Sequence, residues 1–72
     1  MEMTPNARIT LNGKPHEVEL PVSVEGLLAS LGMAGKPVVV ELDELVVFPR
    51  NFSITPVAGG ARVEIVVLAA GG

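Results

Sequence analysis

The sequence contains no cysteine, no tryptophan and no tyrosine. Without thiols, disulfide staples and thiolate metal sites are both excluded, which leaves an apolar core as the source of cohesion and fits a reducing cytoplasm. The only aromatic residues are two phenylalanines. The core must therefore be aliphatic, and the stacking platforms of a single-stranded nucleic-acid binder are missing. Basic residues are also few: five Lys and Arg against eight Asp and Glu give a net charge of −3, the wrong sign for affinity built on phosphate contacts. No apolar run is long enough to span a bilayer, and Met1 to Ala7 lacks both the basic start and the apolar stretch of a secretory signal. A cytoplasmic protein is expected, with no nucleic-acid or membrane partner.

What is present is a single domain's supply of Val, Ile and Leu. A chain of 72 residues buries only about 60–65% of the surface its unfolded form exposes, so its stability should be modest. Residues 1–7 read as a polar, disordered leader, 8–68 as the folded domain and 69–72 as a flexible tail. In "RITLNGKPHEVEL", Ile9 and Leu11, then Val18 and Leu20, alternate with polar neighbours, the period of two strands with one wet face. Asn12-Gly13 suits a tight hairpin turn, which Lys14 and Pro15 could lengthen. The rhythm changes in "SVEGLLASLG". Val24, Leu27, Leu28 and Leu31 fall on one helical face, with Ser23 as N-cap, Glu25 in the first turn and Gly32 as terminator. Gly26 lies inside this helix, where close packing against the sheet would account for it.

Val38 to Val40 read as a buried strand, Asp43-Glu44 as a turn, Leu45 to Phe48 as a short strand, and Phe52 and Ile54 as an irregular crossing tucked under the core. The last strand, Val63 to Leu68, is apolar on both sides. Val63, Ile65 and Val67 form one face, while Val66 and Leu68 share the other with Glu64. Strands of this kind are central, buried or partnered. The element order predicts an α+β fold, a mixed sheet with one helix across it.

Catalytic groups are sparse. His16 has no partner at a motif spacing and reads as an ordinary strand residue. Glu41, Asp43 and Glu44 read as a solvated turn, and "AGGA" at Ala58 to Ala61 as a turn that lacks the lysine and helix of a phosphate loop. No metal site is expected. The chemistry that remains is the carboxyl group of Gly72, which is expected to be the natural C-terminus. Glycines lack a Cβ, so their backbone can enter a narrow active-site channel. Ala69 and Ala70 lengthen that thin segment. Gly72 would be the reactive end and the exposed apolar pair Val66 and Leu68 the docking face.

The "LNGKPHEVE" hairpin, the "SVEGLLASLG" helix, the "VVFPRNF" segment and above all "RVEIVVLAAGG" resemble the small sulfur-carrier proteins of the ubiquitin-like β-grasp superfamily, most closely the ThiS family of thiamine biosynthesis. The resemblance implies a four- to five-stranded mixed sheet crossed by one helix. It implies adenylation of Gly72 by an E1-like partner of the ThiF type, conversion to a thiocarboxylate, and delivery of sulfur to a thiazole synthase of the ThiG type. Gly71 would be the fixed neighbour of Gly72, and Ala69 and Ala70 would thread the partner's channel. A sulfur donor such as a cysteine desulfurase system is also implied. The carrier would have no catalytic residue and no bound cofactor, with ATP used by its partner. Carriers for molybdopterin, cysteine or tRNA thiolation share such a tail, as do ubiquitin-like modifiers. A β-grasp interaction module with an idle tail is the reading from a different class.

Overall fold

The first turn fixes the first register. In the computed structural model, which describes residues 6–69, Asn12 and Gly13 both take positive φ, 49° and 83°, the geometry that matches the right-handed twist of flanking strands. They join β1 (Asn6–Leu11) to β2 (Lys14–Glu19) in a hairpin with Leu11 opposite Lys14. Lys14 and Pro15 thus already belong to β2 and do not lengthen the loop. Pro15 is tolerated because β2 lies at the edge of the sheet, where its missing N–H costs no ladder bond. β1 begins at Asn6, inside the stretch expected to be the leader; the remainder of that stretch, 1–5, lies outside the described residues.

Helix α1 (Val24–Ser30) follows, with the Ser23 side chain accepting a hydrogen bond from the Gly26 N–H at 3.0 Å. Gly32, at φ +75°, turns the chain out after the helix. Gly26 packs differently from expectation. A Cβ there would stand 3.1 Å from Val22 Cγ2 and 3.5 Å from Ser23 Oγ, so the crowding comes from the helix's own entry and not from the sheet.

β3 (Val38–Leu42) and β4 (Leu45–Val47) form a second hairpin around Asp43 and Glu44, both at positive φ. A 3-10 helix over Pro49–Ile54 leads to β5 (Arg62–Val67). The irregular crossing is therefore a short helix. Phe52 packs against the core, but Ile54 is 73% exposed and does not tuck under it. The strands order as β2-β1-β5-β3-β4, with β5 parallel to β1 and antiparallel to β3. This five-stranded mixed sheet with one helix agrees with the expected fold.

The core lies between sheet and helix. Val24, Leu27 and Leu28 of α1 bury against Ile9, Val18, Val38, Val40, Val63 and Ile65 from four strands. Each such side chain contributes about 1.5–3 kcal/mol when fully buried. Leu31 is only partly buried, at the margin of the same cluster.

Candidate functional site at the end of the last strand

β5 carries the tail, so whatever holds β5 aims the tail. The holding is unequal on its two sides. Along β3, five residue pairs run from Val38 opposite Val67 to Leu42 opposite Val63, and the ladder is extended by Leu68 N–H to Pro37 O at 2.9 Å and Asp43 N–H to Arg62 O at 2.7 Å. The residues between, Val63, Ile65 and Val67, must direct their backbone groups to the opposite side, toward β1. There β1 pairs with β5 at only Thr10 and Leu11 before turning away.

Asn12 fills the gap. Its backbone N–H donates to Val63 O at 2.9 Å, and its side-chain amide then acts as one more strand residue. Oδ1 accepts from the Ile65 N–H at 2.8 Å, and Nδ2 donates to Ile65 O at 3.3 Å. The other hairpin turn does the same at the start of β5, where Asp43 Oδ1 accepts the Arg62 N–H at 2.8 Å. Two residues that read as turn-formers thus pin the tail-bearing strand. Their long-range role has no signal in local sequence, because it depends on which strands become neighbours.

The face of the sheet away from the helix changes character along β5. Near the hairpin turns it is polar. Arg62 forms a 3.0 Å ion pair with Glu44, and Glu41 lies opposite Glu64. Toward the tail it becomes apolar. Val66 stands opposite Val39, and Val46 occupies the neighbouring strand opposite Glu41. Val66 is 58% exposed, Val46 51% and Val39 38%. Phe48 follows directly after β4, also exposed, with the Arg50 guanidinium 5.2 Å from its ring centroid, a cation–π distance.

Val66 lies on this face, and Leu68, just past the end of β5, is half exposed and also borders a groove with Leu28, Met33, Val38 and Phe52. Val39 and Val46 join Val66 on the exposed face. Their signal was available, since "VVV" and "LVV" are apolar at consecutive positions just as β5 is. Val67 points to the core side yet is half exposed.

Ala69 is exposed, while Ala70, Gly71 and Gly72 lie outside the described residues. His16 sits on β2, two strands from β5. Among the described residues no three His, Asp or Glu side chains gather as a metal site, and no helix is long and apolar enough to cross a membrane.

Comparison with known proteins adds three findings. The model of the ThiS family matches residues 9–72. A crystal structure of a thiamine biosynthesis protein (ThiS) from Geobacter metallireducens superposes with a TM-score of 0.77 at 35% identity, covering 90% of this chain and 99% of that one. A thiazole synthase from Magnetococcus marinus is 35% identical over 65 residues, 90% of this chain but only 20% of that protein. The chain thus spans about a fifth of that relative's length.

Proposed function

The chain belongs to the ThiS family, and we propose that within it the protein is a sulfur carrier for thiazole formation in thiamine biosynthesis. The observation that supports this reading is the family match running through residue 72, so that the two closing glycines, separated by three residues from a strand fixed on both sides, fall inside the shared pattern.

In the proposed cycle an E1-like adenylyltransferase joins the Gly72 carboxylate to the α-phosphate of ATP with release of diphosphate. A sulfur nucleophile supplied by a donor such as a desulfurase system displaces AMP: sulfide leaves the thiocarboxylate directly, whereas a persulfide leaves an acyl disulfide, whose S–S bond a thiol then cleaves to release the thiocarboxylate and a disulfide. Activation is needed because a free carboxylate is a poor electrophile, whereas the mixed anhydride has AMP as a good leaving group. The carrier's contribution is presentation. Ala69, Ala70 and Gly71 are thin enough to enter a channel, and Val66 with Val39 and Val46 offers an apolar patch to the partner's surface. The reacting groups other than Gly72 belong to the partner, as does the ATP. A thiazole synthase as sulfur acceptor is supported by the relative of that name, in which a segment similar to this chain accounts for 20% of the length.

Deletion of Gly72 tests the reading. The shortened chain should melt like the parent but give no sulfur transfer in a reconstituted thiazole-forming reaction. Undiminished transfer would overturn the proposal.

A further inference from the structure

β2 is the outermost strand on the side of the sheet remote from β3 and β4, and its backbone is available to a partner. On β1, the Thr10 N–H donates to Ala61 O at 2.9 Å and Arg8 O accepts from the Gly60 N–H at 2.8 Å. These β1 groups face β5, away from β2. The residues opposite them, Pro15 opposite Thr10 and Glu17 opposite Arg8, therefore direct their own backbone groups to the open edge, and Glu19 follows by the same alternation. Pro15 has no N–H to offer, so the usable stretch is Glu17 to Glu19.

The side chains along this edge alternate. Glu17 and Glu19 are exposed and flank the buried Val18. Beneath the edge, on the helix side, a groove between β2 and α1 is lined by His16, Val18, Leu20, Val22, Leu27 and Ser30, with Glu17 and Glu19 bordering it from the strand edge. An extended segment pairing with β2 would alternate in the same way. Its outer-face residues would stand beside Glu17 and Glu19, and its inner-face residues would lie over the groove.

We propose that the β2 edge and its adjoining groove form a second docking site, for an extended partner segment in which basic residues alternate with aliphatic ones. Charge decides the occupant. A second copy of β2 would set glutamates against glutamates, which is destabilising for directly opposed like charges, whereas Arg or Lys at those positions gains from each cross-strand pair. Arg8 lies 3.6 Å from Glu17, with both side chains largely exposed, longer than a charge-assisted hydrogen bond. An incoming arginine can displace it. The site is separated from β5 by β1, so a partner held here leaves Val66, Val39 and the tail free. It does not depend on the sulfur-carrier reading.

The test is an NMR titration of the isotopically labelled full chain with a blocked peptide, Val-Arg-Val-Arg-Val, against Val-Glu-Val-Glu-Val and Pro-Arg-Pro-Arg-Pro. The basic alternating peptide should shift the amide signals of Glu17, Glu19 and Leu27 and slow exchange of the Glu17 and Glu19 amides. The other two peptides should bind at least about tenfold more weakly, the first lacking charge complementarity and the second lacking every other backbone donor and held by its prolines near a φ of about −65°, away from strand geometry. In the double variant Glu17→Lys, Glu19→Lys the preference should invert toward the acidic peptide, with a single cooperative melting transition confirming the fold, at a somewhat lower temperature because the new charge at position 17 faces Arg8. Equal binding of the proline peptide, shifts centred on Val66 and Val39, or no shifts up to about 1 mM peptide would each overturn the proposal.

Discussion

Replacing Asn12 with glycine removes two hydrogen bonds to Ile65 while keeping a residue at ease with φ +49°. The Ile65 groups have no substitute on the β1 side, because β1 pairs with β5 only at Thr10 and Leu11. A net contribution of about 0.5–1.5 kcal/mol applies to each bond, with the 3.3 Å contact at the weak end. Both are partly buried, so water recovers some of the loss. The expected destabilisation is about 1–2 kcal/mol. For a domain of this size that lowers the melting temperature by about 4–16 °C. Thermal and urea unfolding measure the total, and amide exchange locates it: the Ile65 N–H should lose protection disproportionately, while Val40 in the centre of β3 changes only with global stability. Stability within about 0.3 kcal/mol of the parent, or an unchanged Ile65 exchange rate relative to Val40, would refute the claim that this side chain completes the sheet.

Asp43 makes the corresponding contact at the other end of β5. Asp43→Ala should cost about 1–2 kcal/mol, from the lost Arg62 contact and an alanine held at φ +51°, whereas Asp43→Asn should stay within about 0.5 kcal/mol; equal losses in urea unfolding would show that the side-chain acceptor is unimportant. Val66→Asp and Val46→Asp change exposed positions and should leave stability within about 0.5 kcal/mol. Each should nevertheless slow adenylation at limiting partner concentration by tenfold or about that, while Ile54→Asp, exposed but outside the sheet face, should not; indistinguishable rates for all three would remove the docking role from this face.

Local patterns carried much of this fold. The Asn12-Gly13 turn, the Ser23 cap and the Val24, Leu27, Leu28 face are written in adjacent residues, and each governs only its own turn or helix. What stayed hidden depends on distant neighbours. Nothing near Asn12 in the sequence announces Ile65, which lies 53 positions away. Ile54 follows an apolar logic that the 3-10 geometry defeats, since the helix faces Phe52 inward and leaves Ile54 to solvent. The apolar partners of Val66 became evident only when the register set Val39 opposite it. The tail's chemistry is different again: it rests on residue types and family membership, with Gly71 and Gly72 outside the described part of the chain.

The central claim concerns one atom at one end of the chain. Co-expression with an E1-like adenylyltransferase and a sulfur donor, followed by treatment with a thiol-alkylating reagent and fragment mass analysis, addresses it directly. Plain mass does not suffice, because exchanging oxygen for sulfur adds about 16 Da, nominally the same as oxidation of Met1, Met3 or Met33. The absence of cysteine makes alkylation decisive, since no side-chain thiol competes. The account predicts an alkyl adduct mapped to Gly72. An unreactive chain, in the presence of a partner that demonstrably adenylates its tail, would contradict it.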